Sequence, residues 1–281
     1  MKKANPEYNV TELCELFNVN SSSYYYQAKE KVINPDRKLI LAAIRGIALE
    51  TGHTYGRRRM NVELLSKGFS LGIHKTASLM SQANVVAITP KKRHYYPNSG
   101  EECRFAPNLL KRRFNPETIN SHWVGDITYL KTHQGWSYLA CVLDLGTREI
   151  VGWALSKSPD AQLAKDALNQ ALRKHQPDSS QLLFHSDQGV QYSANLFVEH
   201  LNKLKITQSM SRRGNCWDNA VMERFFRSLK SEKLNHLSFI NHQSVVDCVE
   251  KYTLFYNYKR LHSANGYMTP ALKAKELRKV A

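Results

Sequence analysis

The spacing of apolar positions changes near residue 120. Before that point it is helical. Leu13, Leu16 and Phe17 fall on one side of a short helix that Thr11 can cap, Asn18-Val19-Asn20 reads as a turn, and Ser21 can cap a second helix. This is the pattern of a helix-turn-helix or of a plain helical hairpin. Leu39, Ile40, Ala43, Ile44 and Ile47 mark one face of a longer helix over 36–50, which Gly52 ends. Tyr55-Gly56-Arg57-Arg58-Arg59 opens another helix running through Leu65, and Gly72-Ile73-His74-Lys75-Thr76 precedes a third that ends near Gln82. Residues 88–118 have no period and carry Pro90, Pro97, Pro107 and Pro116, which predicts a linker.

Beyond residue 120 short apolar runs take over. Strands are expected over Trp123–Leu130, Trp136–Asp144 and Glu149–Leu155. Turns at Thr132–Gly135 and Gly146-Thr147 make them an antiparallel meander. A helix over Asp160–Lys174 follows, then a buried strand over Leu182–His185, a helix over Ser193–Leu204, a strand over Ile206–Met210 and a helix over Ala220–Leu234. Three strands, helix, strand, helix, strand, helix is the order of a ribonuclease-H-like α/β core with a mixed five-stranded sheet. The expected organisation is an all-α helix-turn-helix region over 1–90, a basic linker over 91–118, the core over 119–235 and a short helical C-terminal segment over 236–281.

Charge adds a partner to this outline. The 281 residues hold 40 Lys+Arg against 24 Asp+Glu, a formal net charge of +16. Such an excess attracts polyanions, nucleic acid foremost. Residues 1–118 carry 19 basic against 10 acidic side chains, whereas residues 119–240 carry 14 against 11. The flanks are therefore the expected phosphate-binding surfaces, through Arg57, Arg58, Arg59, Lys91, Lys92, Arg93, Lys111, Arg112 and Arg113. A solvated basic face is the bland alternative for each run. No apolar run approaches the ~18 residues that span a bilayer. Met1-Lys2-Lys3 leads into polar residues, so no membrane partner and a cytoplasmic location are expected. The five cysteines form no CxxC pair, which argues against a disulfide framework and a structural zinc.

The middle of the chain keeps carboxylates in unusual places. Asp126 interrupts an apolar strand, Asp187 lies just past the end of the fourth strand, and Glu223 sits on the last core helix with 35 residues between it and Asp187. A carboxylate among apolar side chains is costly unless something pairs with it. Hard oxygen ligands suit Mg²⁺ or Mn²⁺. Three carboxylates can hold two such ions roughly 3.5–4 Å apart, bracketing the attacking and leaving oxygens of an in-line phosphoryl displacement. Asp144 also ends a strand and is the rival for the first position. Arg227 and Lys230, four and seven residues beyond Glu223, share its helical face and are candidate contacts to DNA.

Longer motifs carry a family resemblance. His185-Ser186-Asp187-Gln188-Gly189-Val190-Gln191-Tyr192 resembles the second-carboxylate motif of insertion-sequence transposases of the IS-three family. The stretch Gly214-Asn215-Cys216-Trp217-Asp218-Asn219-Ala220-Val221-Met222-Glu223-Arg224-Phe225-Phe226 is similar to the third, and Trp123–Tyr129 to the first. Tyr256-Asn257, Arg260-Leu261-His262-Ser263 and Gly266-Tyr267-Met268-Thr269-Pro270 resemble the C-terminal signature of that family, and Tyr55–Arg59 its N-terminal helical region. The match is to the second-reading-frame product, whose catalytic domain is akin to retroviral integrases.

The resemblance implies a transposase with Asp126, Asp187 and Glu223 as catalytic metal ligands and two Mg²⁺ or Mn²⁺ ions per site. It implies double-stranded DNA partners, the element's terminal inverted repeats and a target, and a homo-oligomer on DNA. An upstream reading-frame product or fusion is a further possible partner, since no sustained heptad pattern occurs in this chain. The implied chemistry frees a 3′-hydroxyl at the element end and joins it to another phosphodiester. The competing expectations are a nuclease of the same fold that only hydrolyses, and a DNA-binding regulator without catalysis.

Overall fold

The computed structural model describes residues 9–26, 35–88, 105–212 and 215–280. The chain divides into two compact units, Met1–Ile40 and Leu41–Ala281. The first holds α1 (Val10–Leu16) and α2 (Ser21–Tyr24), and also the start of α3 (Pro35–Glu50). Helix caps there differ from the expectation by one or two residues. Asn9, not Thr11, caps α1 by accepting from the Thr11 N–H, and Asn20, not Ser21, caps α2 by accepting from Ser22. An asparagine carbonyl reaches those amides as well as a hydroxyl does, and both asparagines have the extended backbone a cap requires. The turn between the helices is as expected, with Asn18 in the left-handed region at φ 50°.

In the second unit, α3 buries Ile44, Ile47 and Ala48 and leaves Leu39 exposed, so the apolar stripe is narrower than the sequence suggests. Gly52 ends the helix at φ 58°. Next come α4 (Arg57–Ser66), capped by Gly56, and α5 (Ile73–Gln82), capped by Gly72. Asn61 ties the two together, donating to the Leu71 carbonyl at 2.7 Å and to Thr76 at 2.9 Å.

The core opens with β1 (His122–Thr132), β2 (Gly135–Asp144) and β3 (Ile150–Ser156). It continues with α6 (Ala161–His175), β4 (Leu183–Ser186), α7 (Val190–Ser193), α8 (Asn195–Lys203), β5 (Thr207–Met210) and α9 (Ala220–Glu232). Every predicted core element is present with its order unchanged. The sheet order is β3-β2-β1-β4-β5, antiparallel through the meander and parallel from β1 to β4 and β4 to β5. The fold class is therefore α/β, as expected, with α10 (His242–Tyr258) and α11 (Pro270–Val280) forming the C-terminal segment.

Alternation sorts the side chains into two layers. Val124, Leu139, Cys141 and Leu143 pack under Met222, Phe225 and Leu229 of α9 and Val249, Tyr252 and Tyr256 of α10. Trp123, Ala140 and Val142 face the other way, toward Ala164, Ala167 and Leu168 of α6 and Phe197 and Leu201 of α8. Gly125 sits where β1 crosses Phe184: a Cβ there would collide with that ring. No helix among the described residues is long and apolar enough to cross a membrane.

The two segments quoted for the resemblance outside the core meet each other. The Tyr55 hydroxyl donates to the Lys259 carbonyl at 3.0 Å and accepts from the Leu261 N–H at 2.9 Å. Asn257 brackets the first residue of β3, accepting from the Ile150 N–H and donating to its carbonyl, both at 3.0 Å. Arg260 lies between Tyr256 and Glu232, with a 2.6 Å guanidinium–carboxylate contact, and the Tyr252 hydroxyl donates to the same carboxylate at 2.8 Å. These residues act as braces between the helical region, β3 and the two helices over the sheet. Tyr55→Phe keeps the ring but leaves the half-buried Leu261 amide without its acceptor, so it should lower stability by about 1–2 kcal/mol. A urea titration read by far-UV circular dichroism checks this, and an unshifted midpoint would refute the brace.

Candidate active site

Strand pairing brings the first two carboxylates together. The last parallel partners of β1 and β4 are Val124 and His185. Asp126 and Asp187 each lie two residues further on, at neighbouring positions of strands about 4.8 Å apart. Asp126 shares its parity with Val124 and is paired with Cys141, so it belongs to the face that α9 covers. Glu223 is in the first turn of α9. The buried Asn219, one turn earlier, donates to the carbonyl of Gly125 at 3.2 Å and so fastens the start of α9 to β1 beside Asp126. The sequence separates these carboxylates widely, and the fold collects them on one side of the sheet.

Their electrostatics agree with that placement. Burial pushes the Asp126 carboxyl well above the usual carboxylate range, and the neighbouring charge of Asp187 and then that of Glu223 add to it. The Ile127 N–H, donating at 2.7 Å, and the cation of Lys230 oppose the rise. Asp187 is raised by the protein around its carboxyl even though the residue reaches solvent, against a 3.0 Å bond from the Gly189 N–H. Glu223 is raised by burial and by the charge of Asp187, though it too reaches solvent. Asp126 thus feels both of the others, and Glu223 feels Asp187. Among the described residues no three His, Cys, Asp or Glu side chains stand close enough to form a finished ion cage. The donor set nonetheless suits a divalent cation: it is all oxygen and anionic, and its own repulsion is relieved by positive charge. Asp126 is partly buried on β1, whereas Asp187 and Glu223 both reach solvent.

Asp144, the rival, is on β2, paired with Trp123, three residues before Asp126 on β1. It is fully buried and accepts from the Asn120 N–H at 3.0 Å and from the N–H and hydroxyl of Thr147 at 2.9 and 2.7 Å. Burial pushes it up to about 6 despite those bonds. It shapes the turn into β3.

Sequence reasoning overlooked a fourth carboxylate. Asp218, in the 3-10 turn Cys216–Asn219, is fully buried. It accepts from Arg112 at 2.7 Å, from Arg212 at 2.9 and 3.1 Å, from Asn108 at 2.9 Å and from the Arg212 N–H at 3.1 Å. Those bonds hold its carboxyl well below the usual range. Its place inside the third-carboxylate motif was visible, but two of its partners, Asn108 and Arg112, lie about a hundred residues upstream. His185 is likewise buried and kept neutral, pushed down to about 4 by desolvation, between Ser209 at 2.8 Å and Ser211 at 3.2 Å. Ser209 also accepts from the N–H groups of Leu109 and Leu110. The stretch 105–113, expected to be linker, is thereby pinned along the sheet beside the motif.

The basic candidates divide. Arg57, Arg58, Lys111, Arg113 and Arg227 are exposed. Arg59 turns over the Tyr55 ring at 5.6 Å, and Arg112 holds Asp218, so both have structural partners. Lys230 is half-buried and close enough to Asp126 to lower its pKa. Lys91, Lys92 and Arg93 lie outside the described residues.

The comparisons with known proteins fall on these same elements. Integrase core domain models match residues 116–216 and 204–270, and an HTH-like domain model matches residues 35–93, the stretch of α3 to α5. A 31 kDa protein of insertion element IS600 from Shigella sonnei is 36% identical over 92% of this chain and 96% of its own length. The transposase of insertion sequence IS904 from Lactococcus lactis is 32% identical, over 84% and 93%. The InsF transposase of IS3 from Escherichia coli is 31% identical, over 96% and 95%. Among solved structures, the magnesium-bound catalytic core domain of HTLV-2 integrase aligns with a TM-score of 0.42 at 18% identity, covering 55% of this chain and 95% of that one, too weak a likeness to build on. An integrase-type core behind an HTH-like region is the class the fold defines. Within it, the chain belongs to the IS3 (IS-three) family of insertion-sequence transposases.

Asp218 supplies a test of how the site is braced. Its folded pKa is depressed, so its stabilisation is present above the unfolded value near ~4 and is lost as pH falls through that value toward the folded one. Asp218→Asn should therefore cost about 1–3 kcal/mol at pH 7, a range kept low because both arginines reach solvent. The gap to wild type should close only below pH ~4. Thermal melts from pH 3 to 8 measure it; a gap constant across that range would mean the charge is not what matters.

Proposed function

We propose that the chain cleaves the ends of its insertion sequence and joins the freed 3′-hydroxyl to DNA, with Asp126, Asp187 and Glu223 as the catalytic carboxylates. The observation that carries this is the register that sets Asp126 of β1 level with Asp187 past the end of β4, with Glu223 in the first turn of α9, whose start Asn219 fastens beside Asp126. Family membership makes the protein a transposase with an integrase core domain, acting in DNA transposition.

Two Mg²⁺ or Mn²⁺ ions bound by these carboxylates would supply Lewis-acid activation of the attacking and leaving oxygens. The chain's own residues do the rest. Asp126 and Asp187 fix a patch of negative charge on the sheet, and Gly125 and Asn219 keep α9 seated over it. Glu223 completes the donor set from the solvent side. Lys230 offsets part of the negative charge next to Asp126 and is placed to meet a DNA phosphate. Arg227, Arg57, Arg58, Lys111 and Arg113 form outer contacts to the duplex, to which Lys91, Lys92 and Arg93 are added by charge alone. Terminal inverted repeats and target DNA are the substrates. Assembly is as a homo-oligomer on DNA, with an upstream reading-frame product or fusion as a further partner. A joining assay separates this reading from a nuclease that only hydrolyses.

Asp126→Asn, Asp187→Asn and Glu223→Gln should each reduce cleavage and joining on the order of 1000-fold or more, since each removes anionic oxygens worth several kcal/mol at the transition state. Folding and DNA binding should persist. Asp144→Asn should retain cleavage chemistry while melting lower. Activity should require Mg²⁺ or Mn²⁺, with Ca²⁺ supporting binding better than chemistry. Oligonucleotide cleavage and strand-transfer assays check all four variants; normal rates in a chelator would defeat the metal model. Lys230→Ala should weaken end binding and joining about tenfold, more at high salt than at low. Wild-type joining across a salt titration would make Lys230 a mere surface cation.

A further inference from the structure

The 3-10 turn Cys216–Asn219 presents Trp217 to solvent with 69% of its surface exposed. Its two successors are almost wholly buried: Asp218 at 0% and Asn219 at 4%. Asp218 is held by five hydrogen bonds from Asn108, Arg112 and Arg212. Asn219 is fastened to the Gly125 carbonyl, next to Asp126. The Arg112 guanidinium also bonds Asn215 at 3.0 Å, at the head of the turn. The indole is thus displayed outward from a short segment whose backbone is anchored on both sides. A large apolar ring left in water is unfavourable.

Its setting points to one class of partner. Two residues of chain span at most about 7 Å, so the backbone of Trp217 lies within that reach of Asn219, the residue fastened to Gly125 next to Asp126. Arg112 and Arg212 keep 45% and 61% of their side chains in solvent while gripping Asp218, the residue next to Trp217, so cationic donors reach solvent at the same turn. An aromatic face flanked by guanidinium groups is the chemistry that receives an unpaired base and its phosphate. A protein partner would favour an apolar surround, which the two arginines do not provide.

We propose that Trp217 is a base-stacking platform for an unpaired nucleotide at the DNA end, with Arg112 and Arg212 on its phosphates. The ring would hold the terminal base out of the duplex, so that the strand end lies open at Asp126, Asp187 and Glu223. Asp218 is the positioning residue that fixes both the turn and the arginines. This rests on the reading of those three carboxylates as the reacting centre, but its test does not depend on catalysis.

The test uses the full chain in Ca²⁺ and short duplexes bearing 2-aminopurine at a terminal position, either paired or frayed. Wild type should prefer the frayed end by roughly 10- to 100-fold, the range expected of one stacked base, and should quench its fluorescence. Trp217→Phe should keep most of the preference, and Trp217→Ala should lose it without altering the circular dichroism or melting temperature. An abasic site at the frayed position should abolish the preference of wild type and make it equal to Trp217→Ala. Asp126→Asn should keep the preference while losing cleavage. The proposal is overturned if wild type binds both ends alike, or if Trp217→Ala weakens intact and abasic ends equally. It is also overturned if Trp217→Ala changes only the sedimenting species, which would make the ring a protein contact. Absence of cleavage by wild type, with the preference intact, would count against the transposition chemistry alone.

Discussion

The parallel pairing of β1 with β4 is the constraint on which the site depends. It sets Asp126 and Asp187 side by side, and it does so at a cost, because two like charges in a partly desolvated pocket raise each other's energy. A packed sheet tolerates that only if its neighbours are held firmly. Phe184 seats against the missing Cβ of Gly125, and Asn219 bonds the same residue's carbonyl from the opposite layer. One glycine therefore allows the strand to be gripped from both faces immediately before Asp126. The repulsion left over is what a pair of divalent cations would relieve.

Around that pair the structure uses buried polar groups as fasteners. Asp218 gathers Asn108, Arg112 and Arg212, and His185 with Ser209 fixes the amides of Leu109 and Leu110. Arg260 and Glu232 do the same between the turn after α10 and the end of α9, in a contact from which water is nearly excluded. Ion pairs of this kind add little net stability, but breaking one side leaves an uncompensated charge. They fix position, and α9, which carries Glu223 and Lys230, is tied down at both its ends. A metal site built from distant segments needs that rigidity, because small displacements of a ligand cost much of the rate.

The basic side chains divide between structure and partner. The sequence offers runs such as Arg57–Arg59 and Lys111–Arg113, and the fold takes one arginine from each: Arg59 for the Tyr55 ring and Arg112 for Asp218. The remaining members face solvent, where they can meet phosphates without giving up an internal partner. Charge density alone could not make that division, since a guanidinium bonds a carboxylate and a phosphate with the same geometry.

What the sequence determined by itself was the order and kind of the core elements, because alternation and helical period are local properties; it nominated the three carboxylates through long, contiguous motifs. It also supplied the family. Tertiary structure decided everything that depends on which segments meet. Asp126 and Asp144 both sit on apolar strands, and only the strand register shows Asp126 level with Asp187 and Asp144 opposite Trp123, three residues back along β1, bonded to Thr147. The caps at Asn9 and Asn20, rather than Thr11 and Ser21, turn on backbone conformations that several adjacent polar residues could have adopted. Asp218, the pinned stretch at 105–113 and the bond from Tyr55 to the C-terminal signature are pairings across about a hundred residues or more. No local pattern encodes such pairings, because the energy that selects them exists only when the chain has folded and excluded water from both partners at once.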